Sequence, residues 1–109
     1  MRPVDVANTT EIPAGTLKRV SIDGTKVLLA NLDGQFYAVA DRCPHMGGSL
    51  SEGKREGNLI VCPNHGAAFD LTTGQNVRPA RVLFLSRKPA DATTYRVEVK
   101  GTRILVWFE

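Results

Sequence analysis

Two short runs constrain what this chain can fold into, because they contain every cysteine and every histidine of the protein. Residues 43–48 read CPHMGG and residues 62–66 read CPNHG. Each run offers one sulfur and one imidazole nitrogen, and the prolines and glycines between them favour tight turns. Four potential ligands, Cys43, His45, Cys62 and His65, with none left elsewhere, predict one metal site formed where the two turns meet.

The length and composition of the chain limit its class. At 109 residues we expect a single domain, residues 1–109. A composition of 42% hydrophobic and 23% charged residues is ordinary for a globular protein. No apolar run approaches the roughly 20 residues of a membrane span, and the N-terminus lacks a signal core, so we expect a cytoplasmic protein without a membrane partner. The net charge of +3 is spread along the chain without a basic stripe, which argues against nucleic acid.

Short apolar stretches separated by turn residues predict an all-β fold. Asp23-Gly24 and Asp33-Gly34 separate three such stretches, and Asp-Gly pairs favour two-residue hairpins, so a three-stranded meander is expected before residue 40. Further strands are predicted at residues 59–61, 68–71, 82–85, 95–100 and 104–108. The last is apolar on both faces and is therefore predicted to be a central strand. No stretch shows a helical period.

Residues 41–81 differ in composition from the flanking strands, because glycines and prolines recur throughout this segment. Glycine permits the sharp turns and close backbone approach that a metal-holding loop requires. We therefore predict an antiparallel β sandwich or barrel with a small loop-rich metal-binding subdomain at about residues 41–81.

The order of the ligands bears on which metal they bind. Sulfur and imidazole together restrict the choice to zinc, iron–sulfur or copper. Structural zinc sites usually keep like ligands together, as Cys-x-x-Cys and His-x-x-x-His. Here each run mixes the two, which suits two sulfide-bridged irons with one iron bound by sulfurs and the other by imidazoles. A zinc-stabilised interaction module stays open as the alternative.

The full pattern, C-x-H followed after sixteen residues by C-x-x-H, resembles that of the Rieske proteins, which bind one 2Fe–2S cluster. The resemblance is specific over about residues 41–70, and Pro79 stands where the family has a proline-containing loop over the cluster. It implies a Rieske-type fold. It also implies that Cys43 and Cys62 hold one iron, and that His45 and His65 hold the second, redox-active iron near the surface.

Four neighbouring positions indicate which Rieske proteins the chain resembles. Respiratory and photosynthetic members join their two ligand loops by a disulfide at the positions of Gly48 and Asn64. High-potential members place a serine and a tyrosine at the positions of Ala67 and Phe69. Hydroxyl donors to sulfur stabilise the reduced, more negative cluster, so their absence lowers the reduction potential. The pattern therefore indicates a low-potential ferredoxin.

The ligand count separates a carrier from an enzyme. The mononuclear iron of an oxygenase needs two further histidines and a carboxylate, and this chain has no further histidine. The protein resembles instead the ferredoxin component of aromatic-ring dioxygenase systems. This implies a monomeric one-electron carrier, not an enzyme, between a flavin-dependent NAD(P)H reductase and a terminal oxygenase, or another redox partner. The small Rieske subunit of an NAD(P)H nitrite reductase is the alternative.

Basic residues within the predicted subdomain bear on the partner. If they surround the two histidines, they would steer an acidic protein surface towards the cluster. An ordinary solvated face is the alternative interpretation. The residues concerned are Arg42, Lys54, Arg55, Arg78 and Arg81.

Overall fold

Three antiparallel sheets and a two-stranded ribbon form the computed structural model, which describes residues 1–44, 47–82, 85–87 and 90–108. The strands are β1 (Arg2–Asn8), β2 (Leu17–Ile22), β3 (Thr25–Leu32), β4 (Gln35–Ala40), β5 (Lys54–Glu56), β6 (Leu59–Val61), β7 (Ala68–Asp70), β8 (Asn76–Arg78), β9 (Ala80–Val82), β10 (Leu85–Arg87), β11 (Thr94–Tyr95), β12 (Val97–Lys100) and β13 (Arg103–Phe108). Two 3₁₀ helices occupy Thr9–Glu11 and Leu50–Glu52. The all-β prediction is confirmed. Across the described ranges, no helix is long and apolar enough to cross a membrane.

Two of the sheets pack face to face as a sandwich. One has the strand order β1-β13-β12, and the other has the order β11-β4-β3-β2. Ile104 and Val106 of the first sheet share a buried core with Val27 and Leu29 of the second. Strand β13 is the middle strand of its sheet, as its two-sided apolar pattern predicted.

Strand β3 is buried on both faces, with every residue from Val27 to Leu32 inside the protein. Successive side chains of a strand point to opposite faces, so one strand can serve two cores. Val27 and Leu29 face the sandwich core, whereas Leu28 and Ala30 belong to a second core on the other side. Strand β3 therefore separates the sandwich core from the second core on its other face.

The predicted loop-rich subdomain covers this second face. Its sheet has the order β5-β6-β7-β8. Leu50, Ile60 and Phe69 of the subdomain pack in the second core with Leu28 and Val39 of the sandwich. The subdomain is thus fixed to the sandwich by apolar burial, which is the dominant stabilising contribution in a fold of this size.

The two Asp-Gly turns have the backbone that the sequence predicted. Asp23 and Gly24 have φ of 49° and 83°, and Asp33 and Gly34 have φ of 54° and 89°. Two successive positive φ angles define the turn type that matches the twist of a hairpin. The meander β2-β3-β4 is therefore confirmed.

Strand β1 was not predicted, and it pairs with β13 at the other end of the chain. Arg103 donates three hydrogen bonds to Asp5: Nε lies 3.0 Å from both Oδ1 and Oδ2, and Nη2 lies 2.7 Å from Oδ1. These bonds hold the pKa of the Asp5 carboxyl below its usual value. Among the described strands, β1 pairs only with β13, which lies far away in the sequence, and a local sequence pattern does not show such a partner.

The prediction of one strand over residues 82–85 is wrong. Strand β9 ends at Val82, β10 begins at Leu85, and these two residues pair with each other across an antiparallel ribbon. Residues 83 and 84 lie outside the described residues. A continuous apolar run without glycine, asparagine or aspartate carries no turn signal, so the pairing of two separate strands could not be predicted from it.

Replacing Gly74 with alanine should destabilise the protein by about 2–4 kcal/mol, because the new Cβ would lie 2.3 Å from the carbonyl oxygen of Ala92. Gly101→Ala is the matched control, since Gly101 also has positive φ but has open space around it. We expect the control to cost about 1 kcal/mol. Urea unfolding of both variants measures the difference, and equal losses would contradict the close contact.

Candidate metal centre

Two loops of matching construction present the two cysteines. We call residues 43–48 the Cys43 loop and residues 62–67 the Cys62 loop. In each loop the cysteine N–H donates a hydrogen bond to the carbonyl oxygen five residues later, from Cys43 to Gly48 at 2.6 Å and from Cys62 to Ala67 at 2.7 Å. The same backbone closure therefore occurs twice.

The segments that flank the loops are also equivalent. Val61 and Ala68 are an antiparallel pair of β6 and β7, so the Cys62 loop is the connection of a hairpin. Arg42 and Ser49 form an isolated antiparallel bridge across the base of the Cys43 loop. Both cysteines therefore follow directly on a paired residue, and this fixes their backbone position.

The two loops meet at Gly48. A Cβ atom added there would lie 3.4 Å from the Sγ of Cys62 and 3.3 Å from the Cγ of Asn64. Gly48 therefore permits the close approach of one loop to the sulfur held by the other. Positions 48 and 64 face each other, where the resemblance placed the disulfide of the respiratory proteins.

Both cysteines lie in the second core, with exposures of 0% for Cys43 and 1% for Cys62, and they are not joined in a disulfide. His65 is exposed, and its carbonyl oxygen accepts a hydrogen bond from the Arg81 N–H at 2.9 Å. Its φ of 66° is uncommon for a residue other than glycine and marks a constrained turn. His45 lies outside the described residues.

This arrangement fits the donor set of a two-iron cluster with mixed ligands. Such a cluster binds its thiolates and imidazoles in separate pairs on separate irons. The buried thiols and the exposed imidazole divide in the same way. Within the described residues, no three Cys, His, Asp or Glu side chains are grouped as they would be around a single ion.

Asp41 holds the exit of the Cys43 loop, a role that the sequence did not indicate. Its buried carboxylate accepts hydrogen bonds from the Ser49 hydroxyl and from the Ser51 N–H, the latter at 2.7 Å. Its carbonyl oxygen accepts from the Leu50 N–H at 2.7 Å. A D-x-C spacing with two nearby serines was the available signal, but serine and aspartate are also common in ordinary turns.

Two buried apolar residues share the second core with Cys62. Ala67 and Phe69 are 0% and 1% exposed, respectively, and belong to the same core as the two sulfurs. Neither carries a hydroxyl that could donate to sulfur. Asp70 is occupied within its own turn by the N–H and hydroxyl of Thr72.

The basic residues that the sequence singled out have different surroundings. Arg42 lies against the Cys43 loop, with its Nη2 atom 3.1 Å from where a Cβ of Gly47 would be. Arg78 is ion-paired with Glu56 at 3.4 Å, so its charge is offset.

The chain matches the family model "Rieske [2Fe-2S] domain" over residues 2–84. The chain belongs to the Rieske family. It is 36% identical over 109 residues to the 3-phenylpropionate/cinnamic acid dioxygenase ferredoxin subunit of Shigella boydii, with 97% of this chain and 93% of the relative covered.

Solved structures agree with this assignment. The ferredoxin of carbazole 1,9a-dioxygenase from Nocardioides aromaticivorans IC177 is similar over the full length of both chains, with a TM-score of 0.83 and 28% identity. A chain in a complex of reduced oxygenase and oxidised ferredoxin in carbazole 1,9a-dioxygenase has a TM-score of 0.80 and 32% identity, with 95% of this chain and 91% of the other covered.

Family membership decides between the metals that the sequence left open. The cofactor is a Rieske-type 2Fe–2S cluster, not zinc. The protein is a Rieske ferredoxin, an electron carrier in the manner of the ferredoxin components it resembles, and not a catalytic subunit.

Replacing both Gly48 and Asn64 with cysteine should join the two loops by a disulfide in the oxidised protein. The 3.3 Å from a Cβ at position 48 to the Asn64 Cγ is close to the roughly 3 Å between a Cβ and the partner sulfur in a disulfide. Thiol titration and peptide mapping measure the bond. Asn64→Cys alone is the control, and a bond from position 48 to Cys62 would contradict the facing of positions 48 and 64.

Proposed function

We propose that Cys43 and Cys62 bind one iron of the cluster and that His45 and His65 bind the other. When bound, a Rieske-type cluster accepts and releases one electron at a time. The observation that carries the proposal is the division of the described ligands by exposure, with both sulfurs buried and His65 at the surface. The buried side excludes water, and the histidine side is where a partner can approach.

We propose further that residues 1–109 act as a single-domain, monomeric carrier in the cytoplasm. It would take electrons from a flavin-dependent NAD(P)H reductase and pass them to a terminal oxygenase of an aromatic-ring dioxygenase system. The similarity to a ferredoxin subunit over 97% of this chain supports this role. The similarity to a chain of a complex between oxygenase and ferredoxin supports the acceptor.

The test of these partners asks whether the genes beside this one encode a terminal oxygenase and a flavoprotein reductase, and mixes the purified products with this protein. The reductase should reduce the ferredoxin with NADH or NADPH, and the reduced ferredoxin should be reoxidised by the oxygenase in anaerobic stopped-flow mixing. Copurification with a large sirohaem subunit would instead support the nitrite reductase alternative.

The midpoint potential should lie near the low end of the Rieske range, at about −150 mV. Ala67 and Phe69, which belong to the same core as Cys62, are apolar and offer no hydroxyl hydrogen bond to stabilise the reduced cluster. Protein-film voltammetry measures the value, and a potential above about +100 mV would contradict the assignment.

The matched variant for this explanation is Ala67→Ser. A hydroxyl worth about 1 kcal/mol more to the reduced state would raise a one-electron potential by about 40 mV. Ala67→Val adds volume without a donor and serves as the control. If the reduction potential rises equally in both variants, the cause is the added side-chain volume and not the hydroxyl hydrogen bond.

Replacing His65 with cysteine should lower the potential by roughly 100 mV or prevent cluster assembly, because a thiolate adds negative charge in place of a neutral imidazole. Visible absorption, iron content and voltammetry measure the outcome. Gln75→Cys, at an exposed position outside both loops, controls for an additional thiol. An unchanged spectrum and potential in His65→Cys would remove His65 from the ligand set.

A further inference from the structure

A groove of about 560 Å³ lies beside the Cys43 loop. The hairpin between β2 and β3 forms one side and contributes Arg19 and Lys26. The other side is the entrance and exit of the Cys43 loop, with Asp41, Arg42 and Ser49. Three cations and one carboxylate therefore line a single depression next to a ligand loop.

The carboxylate of Asp41 leaves two of these cations uncompensated. Its side chain is only 4% exposed, and it accepts the hydrogen bonds of Ser49 and Ser51 described above. Arg19 is the cation that lies near it, with Nη1 at 3.7 Å from Oδ2. The charges of Asp41 and Arg19 thus offset each other within the wall of the groove.

Lys26 and Arg42 remain as exposed positive charges. Among the described residues, no carboxylate forms an ion pair with either of them. The nearby carboxylate of Asp23 is already paired with Arg2 at 2.6 Å. The guanidinium of Arg42 lies against the Gly47 turn, so one of the two charges is held at the Cys43 loop itself.

We propose that this groove binds a carboxylate side chain of a partner protein between Lys26 and Arg42. The inference rests on the proposed function and adds part of the docking surface to it. A carboxylate held there would place the partner's surface against the Cys43 loop and therefore beside the cluster. Two charges in one short groove suit a single acidic side chain, whereas a nucleic acid requires a longer basic track.

The test measures binding of a fluorescein-labelled hexaglutamate peptide to the iron-loaded protein by anisotropy at low salt. Lys26→Gln and Arg42→Gln should each weaken binding about three- to fivefold, the usual effect of a partly exposed charge pair. Lys54→Gln is the matched control, because it removes the same charge from an exposed position on β5, outside the groove lining, and no carboxylate of the described residues forms an ion pair with it. It should change binding less than twofold.

Three outcomes would overturn the proposal. Equal losses in all three variants would show that net charge alone attracts the peptide. Failure of hexaglutamate to bind, or tighter binding of a DNA oligonucleotide, would exclude a carboxylate site. The assay requires no electron transfer, so it can fail while the carrier function stands. Absence of a 2Fe–2S spectrum would instead overturn the proposed function.

Discussion

The burial of β3 on both faces is the interaction on which the rest of the structure depends. Leu28, Ala30 and Leu32 pack against the subdomain that carries both cysteines. Val27 and Leu29 pack in the core of the sandwich. Because the two cores share one strand, the ligand loops rest on a strand that is buried on both of its faces. A redox site gains from such support, since rigid surroundings limit rearrangement between its two charge states.

The parts of the fold that follow local rules were predictable from the sequence. Asp-Gly turns set the meander, and the spacing of Cys43, His45, Cys62 and His65 indicated the family that the comparison then confirmed. The pairing of β1 with β13 was not predictable, because it joins residues from opposite ends of the chain. The role of Asp41 was not predictable for a related reason. Its hydrogen-bond donors, Ser49 and Ser51, come next to it only when the Cys43 loop folds back on itself.

The groove shows the same limit at the surface. Lys26 and Arg42 belong to different predicted elements, and only Arg42 was among the cations that the sequence singled out. The fold brings both residues to one groove. Arg78, which follows the Cys62 loop in the sequence, instead forms an ion pair with Glu56. Closeness to a ligand motif in the sequence therefore predicts the cations of the proposed docking groove less well than the ion pairs of the folded protein do.

Gly48 and Asn64 leave the two cysteine loops without a covalent link between them. If the four ligands bind as proposed, the iron–ligand bonds themselves close the chain between residues 43 and 65. The free energy of cluster insertion is then partly folding free energy, because the cluster adds a restraint between loops that backbone hydrogen bonds and packing alone restrain before. Maturation of this protein would therefore add to its stability as well as to its redox chemistry, because the cluster would join two loops that no disulfide connects.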